Sequence, residues 1–333
     1  MKQKNVECVI IIEMEETTMT KQECLELFRD RAKGAMYGVA VGDALGAPLE
    51  FMSALEIKDV HGPEPVKDML GGGWLNLRPG ETTDDTDMTL AVAEGLMAMQ
   101  EPWSVPDLVE AVGSNFIEWH HTRPKDIGNT CRAVIEKAEQ LIKSRPDKSA
   151  YENWMTASIL YDEMSGGRSG GNGALMRTVP AGIAFLHCRV PARALARMTH
   201  WDEKAAKLVQ DYTETISILV RGGSYRDLQG FLVCAGTQGH LRPTGYSFDS
   251  ANCAAYAIQE ADDDFEDILV KAVNMGGDAD TIGAITGGLA GAWYGFRDIP
   301  DRWVEALPER ITARLDAFVE WAVEREARTY DRE

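Results

Sequence analysis

No CxxC pair links any two of the six cysteines, which stand at 8, 24, 131, 188, 234 and 253, so the chain signals neither a zinc knuckle nor a disulfide framework. They read as the reduced thiols of a cytoplasmic protein. Long apolar runs are missing as well: no stretch reaches the roughly 18 residues of a membrane-spanning helix. The early run Val9 to Ile12 is short, flanked by acids, and lacks the basic start and cleavage pattern of a signal peptide. Basic residues are outnumbered by acidic ones, 34 against 53, and the net charge of −19 argues against nucleic-acid or anionic-membrane partners. Alternating strand patterns and long polar linkers are absent too, which leaves an all-α, single compact multi-helix domain as the expected fold.

What is present is helical. Thr20 has capping-box spacing to Glu23 and is followed by Leu25, Phe28, Ala32, Ala35 and Val39 at helical intervals, so the domain is expected to span 20–333. Residues 1–19 form an extension whose β-prone Val6, Val9, Ile10, Ile11 and Ile12 suit a partner-binding arm or a loosely held leader. Further helical patterns run through Leu90 to Met99, Ile127 to Ile142, Glu203 to Val220, Asp264 to Val273, and a terminal Ile311, Leu315, Phe318, Ala322 stripe whose neighbour Arg325 is expected at the surface. Glycines recur at every fourth position at 34, 38, 42 and 46, and again at 283, 287, 291 and 295. Each interior glycine costs a helix about 0.5–1 kcal/mol relative to alanine, so these stripes predict two central helices in close approach.

Two clusters carry candidate chemistry. TTDDTDM at 82–88 sets Thr83, Asp84 and Asp85 just before an apolar helical pattern, and GGDADT at 276–281 sets Asp278, Asp280 and Thr281 at the entrance of the second glycine stripe. Either alone is explained by helix capping. If the two entrances meet, they concentrate four carboxylates, a charge that calls for hard divalent cations, and two ions about 3.5–4 Å apart are a recurrent solution. A third feature, SGGRSGGNGALMR at 165–177, offers backbone N–H groups that can cradle a phosphate on an otherwise acidic protein. Adjacent His120 and His121 lack ligand spacing and read as ordinary hydrogen-bonded histidines.

The motifs GVAVGDALGAPLEF (38–51), TTDDTDM, SGGNGALMR (169–177) and AVNMGGDADTIGAITGGLAGAWYG (272–295), with weaker THWDEKA (199–205) and TGYSFDS (244–250), stand in the order found in ADP-ribosylglycohydrolases, which the chain resembles over roughly residues 30 to 300. The resemblance implies an all-α fold around a binuclear centre holding two Mg²⁺ or Mn²⁺ ions through Thr83, Asp84, Asp85, Asp278, Asp280 and Thr281. It implies that Ser169, Gly171, Asn172 and Gly173 bind ADP-ribose, that His200 contacts phosphate, and that Tyr246 lies near the adenine. The implied reaction is hydrolysis of the bond between ribose C1″ and a modified protein side chain, with arginine the expected linkage. Glu50, Asp85 and Asp278 are the candidates for handling the proton, and the sequence does not choose among them. A catalytically silent relative, or an immunity protein that binds a cognate ADP-ribosyltransferase, are the alternative readings.

Overall fold

The computed structural model describes residues 19–186, 189–235, 241–262 and 264–330, so the apolar run of the extension, and with it the partner-arm reading, lies outside the described residues. Among those described there are fifteen α-helices and no strand. They are α1 (Lys21–Gly46), α2 (Ala54–His61), α3 (Asp84–Ala98), α4 (Val105–His121), α5 (Asn129–Ser144), α6 (Ala150–Met164), α7 (Val179–Ala184) and α8 (Arg189–Arg197). The second half holds α9 (Glu203–Val220), α10 (Tyr225–Ala235), α11 (Ser247–Glu260), α12 (Phe265–Val273), α13 (Ala279–Tyr294), α14 (Asp301–Ala306) and α15 (Glu309–Tyr330). None of these helices is long and apolar enough to cross a membrane.

Capping sets several helix starts. Thr20 and Glu23 form the expected capping box on α1, and the same reciprocal arrangement opens α2 at Ser53, α4 at Ser104 and α6 at Ser149. Gly34 to Gly46 of α1 and Ala279 to Ala292 of α13 are buried on every face, the mark of helices at the centre of a helical protein. They run antiparallel with their glycine stripes apposed. A β-carbon added to Gly34, Gly38 or Gly42 would overlap the carbonyl oxygen of Gly291, Gly287 or Gly283 respectively, and the overlaps are reciprocal. This register brings Gly46, at the end of α1, onto Ala279 at the start of α13. Helices α11 and α12 cover α13, while α15 and α9 cover α1.

The terminal stripe is buried as expected, with Ile311, Leu315 and Phe318 at 0% exposure. Arg325 departs from expectation. It is half-buried, donates from Nε to the Ala184 carbonyl at 3.3 Å, pairs with Glu101 at 2.9 Å, and lies over the Phe185 and Trp321 rings. The hydrophobic stripe marked only one contact face, and a guanidinium on an aliphatic stem can also cover apolar surface from beside it. Cys24, Cys131 and Cys253 are buried.

Candidate functional site

Three chain segments meet where the α1–α13 register ends. Asp43, three residues before the close of α1, is fully buried and accepts the backbone N–H groups of Thr83 (3.0 Å) and Thr86 (3.0 Å) together with both their hydroxyls. Thr83 is the N-cap of α3 but makes no side-chain cap of its own, so Asp43 caps that helix from across the core. The pairing fixes the first turn of α3, with Asp84 and Asp85, against the end of α1. Sequence reading passed over Asp43 because it sits inside a glycine-rich helical run, where nothing local signals a partner about forty residues away.

The third segment is the entrance to α13. Gly276 (φ 73°) and Gly277 (φ 65°) occupy left-handed backbone, and a β-carbon on either would overlap the Met52 or Pro243 carbonyl. Phe51 N–H donates to the Gly277 carbonyl and Gly277 N–H to the Met52 carbonyl, each at 2.7 Å. This lock holds Glu50 beside Asp278 and Asp280. One carboxylate oxygen each from Glu50, Asp126 and Asp280 lie within 4.8 Å of one another. Asp126, from the loop before α5, is a member that the sequence did not suggest: a lone aspartate in PKDIGNT has no clustering to mark it.

The other predicted ligands surround this group. Asp84 accepts the Gly128 N–H at 3.2 Å, and Asp85 Oδ2 accepts the hydroxyl of Thr281 (3.2 Å) and lies 3.4 Å from that of Thr83, whose proton goes to Asp43. The other Asp85 oxygen is buried without a hydrogen-bond partner. An orphaned carboxylate oxygen amid acids and threonine hydroxyls is a hard-oxygen donor set, and it fits divalent cations of the Mg²⁺ or Mn²⁺ type. The residues that would hold them are Asp84, Asp85, Asp278, Asp280, Thr83 and Thr281, with Glu50 and Asp126 at the edge facing the cleft.

The acids open onto a cleft of about 630 Å³. Its far wall is the glycine loop. Asn172 donates to Asp278 and, at 2.9 Å, to the Ser250 hydroxyl, while its backbone N–H donates to the Gly245 carbonyl and is therefore not available to a phosphate. Gly171 and Gly173 line the cleft against the His200 ring, close enough that a β-carbon on Gly173 would meet Cys131 and His200. Ser169 does not reach the cleft. It is fully buried and its hydroxyl donates to Asp162 at 2.6 Å, anchoring the loop from behind. Tyr246 stands at the rim, 44% exposed, and is joined to Gly171 by a backbone bridge. His120 and His121, at the end of α4, face Glu136 and Glu139 and take no part.

His200 is held by a relay. The buried Arg177 guanidinium, which can only donate, bonds the Thr199 hydroxyl at 2.7 Å, and that hydroxyl lies 2.7 Å from His200 Nδ1. With the Thr199 proton given to Nδ1, the neutral imidazole carries its own proton on Nε2, toward the glycine loop; in the other tautomer Nδ1–H donates to Thr199 and Nε2 faces the loop as an acceptor. Burial and the Arg177 charge push the imidazole down to about 3, so it stays neutral. The tautomer with Nε2–H presents a neutral donor, which suits an anionic ligand on an acidic protein.

Electrostatics at the acids follow from crowding. Burial pushes Glu50 up to about 8, opposed by the 2.6 Å hydrogen bond from Trp74 Nε1 and reinforced by Asp126 and Asp278. Burial lifts Asp43 to about 6 despite its threonine donors. Asp84, Asp85 and Asp280 are raised well above the usual range by burial and by neighbouring carboxylates. Each group binds its proton more tightly folded than unfolded, so stability is full at low pH and is lost as pH rises through the folded values. The cation-free protein should therefore melt at progressively lower temperature between about pH 4 and pH 8. Saturating Mn²⁺ should abolish that decline, adding about 2.7 kcal/mol at a hundredfold excess over Kd. Melting curves at pH 5 and 8, with and without Mn²⁺, check this; a pH-independent melting temperature in chelator would contradict it.

Comparison with known proteins agrees with this geometry. The profile of the ADP-ribosylglycohydrolase family matches residues 25–332. The chain is 36% identical over 298 residues to the ADP-ribosyl-[dinitrogen reductase] glycohydrolase of Rhodospirillum rubrum, covering 86% of this chain and 93% of that protein. It is 28% identical over 312 residues to the ADP-ribosylarginine hydrolase Tri1 of Pseudomonas putida strain GB-1, covering 87% and 76%. A solved structure described as an ADP-ribosylglycohydrolase-related protein complex superposes with a TM-score of 0.70 at 30% identity, covering 89% of this chain and 99% of that one.

Proposed function

The chain belongs to the ADP-ribosylglycohydrolase family, and on that footing we propose that it removes ADP-ribose from modified arginine side chains of proteins, reversing mono-ADP-ribosylation, with two divalent cations at the acid cluster. The observation that carries the metal requirement is the buried Asp85 oxygen left without a partner among so many carboxylates. Arginine as the linkage is supported by the acidic character of the cleft, which favours a cationic leaving group, and by similarity to the ADP-ribosylarginine hydrolase of Pseudomonas putida. Reduced thiols and the acidic surface suit a cytoplasmic setting.

When bound, the cations would supply Lewis acidity and lower the pKa of water. The protein's residues do the rest. The glycine loop and His200 take the ADP-ribose diphosphate side, with Nε2–H of His200 as a neutral donor. Asp278 and Asn172 hold each other where the ribose would enter. Positive charge developing on the ribose in the transition state meets the carboxylates of Glu50, Asp126 and Asp280. Glu50 is the best-placed group to accept the proton of the attacking water: it faces the cleft and is oriented by Trp74, and bound cations would lower the raised pKa that burial gives it and leave it ionised.

Incubating the protein with defined arginine-, serine- and O-acetyl-linked ADP-ribose, with Mg²⁺ and Mn²⁺ in turn, tests the assignment. Release from arginine should be the fastest. Faster release from serine or acetate would replace the proposed linkage, and no release from any would leave only a binding role.

A further inference from the structure

The cleft has an end that the ADP-ribose assignments leave unused. Contacts order its lining: His200 faces Gly171 and Gly173, Asn172 holds Asp278, Asp278 neighbours Glu50, and Glu50 is bonded by Trp74, which packs on Phe51. The scissile bond belongs at the acids in the middle, so the side chain being released must lie toward Phe51 and Trp74. Both rings line the cleft and both are unusually exposed for their size, 68% and 53%. Their centroids are 5.4 Å apart at 46°, an open angle rather than a closed stack.

Neither ring is there by default. Phe51 sits at φ 63°, a strained conformation for a bulky residue, held by the hydrogen bond to Gly277. Trp74 is carried on a tight turn closed by reciprocal Gly72–Leu77 hydrogen bonds at 2.7 and 2.8 Å, with glycines 71 to 73 all left-handed. Gly73 fits so closely on the Pro48 backbone that a side chain there would displace the turn. Trp74 Nε1 is then fastened to Glu50. Two exposed aromatic faces, rigidly mounted beside a carboxylate cluster, suit a flat delocalised cation.

We propose that Phe51 and Trp74 form the leaving-group subsite, receiving the guanidinium of the modified arginine against their exposed faces and so determining specificity for that linkage. The inference rests on the arginine reading above. ADP-ribose itself, lacking the side chain, does not touch this subsite, and that separates the ring's role from general damage to the site.

The test compares KM for ADP-ribosyl-arginine with Ki for ADP-ribose as a product inhibitor, in Mn²⁺-loaded protein. Phe51→Leu keeps bulk but removes the ring face and should raise KM about tenfold, the scale of a cation–π contact, while Ki stays within about twofold. Phe51→Tyr should retain wild-type KM. Trp74→Phe, which keeps a ring but loses the bond to Glu50, should lower kcat more than it raises KM. Wild-type turnover with an unchanged KM in Phe51→Leu would overturn this inference alone, as would parallel rises in KM and Ki. Failure of the wild-type protein to hydrolyse ADP-ribosyl-arginine would overturn both readings.

Discussion

Asp280→Ala should lower turnover of ADP-ribosylated arginine by about a thousandfold or more, the equivalent of the several kcal/mol that a metal centre contributes to transition-state stabilisation. Asp280 is 1% exposed, heads α13, and is the one member of the Glu50, Asp126, Asp280 group that the sequence assigned to metal ligation. The fold should tolerate its loss. In cation-free protein the carboxylate is crowded by Asp85, Asp278 and Glu50, so alanine relieves repulsion and should leave melting unchanged or raised at pH 8. The same substitution should also abolish the stabilisation by Mn²⁺. Kinetics and melting on one preparation check both halves; wild-type turnover under limiting metal would remove Asp280 from the centre.

Gly287→Leu should have the largest effect on the fold, costing about 3 kcal/mol or more. Even a β-carbon at that position overlaps the Gly38 carbonyl, and the clash is with backbone on a helix that is itself buried on all sides, so there is no flexible neighbour to give way. Because the register of α1 on α13 also sets the distance between Asp43 and Asp280, activity should fall with stability. A matched control lies on α10: Gly230 is exposed, with nothing within 4 Å of an added β-carbon, and Gly230→Ala should be neutral or stabilising by up to about 1 kcal/mol. Denaturant unfolding of the two variants checks the contrast. Equal stability of Gly287→Leu and wild type would mean that the stripe is not a tight contact.

The sequence disclosed those features whose cause is local or periodic. The glycine stripes could be read because no helix keeps four such residues in register without a close neighbour, and the Thr20 cap because its partner is three residues away. The acid clusters were visible because aspartates adjacent in sequence stand out. Asp43, Asp126 and Trp74 were not, since each acts alone in its segment and gains its meaning from residues brought to it by the α1–α13 register and the Gly276–Gly277 turn. Ser169 shows the reverse: a hydroxyl in a ligand-like motif whose hydrogen bond in this structure goes to Asp162.

The most direct test of the central claim is calorimetric titration of Mn²⁺ into chelator-treated protein, followed by turnover of ADP-ribosyl-arginine at each point of the titration. The account predicts two bound ions per chain, activity that appears as the sites fill, and loss of both in Asp280→Ala. Full turnover in chelator, with no ion bound, would contradict it.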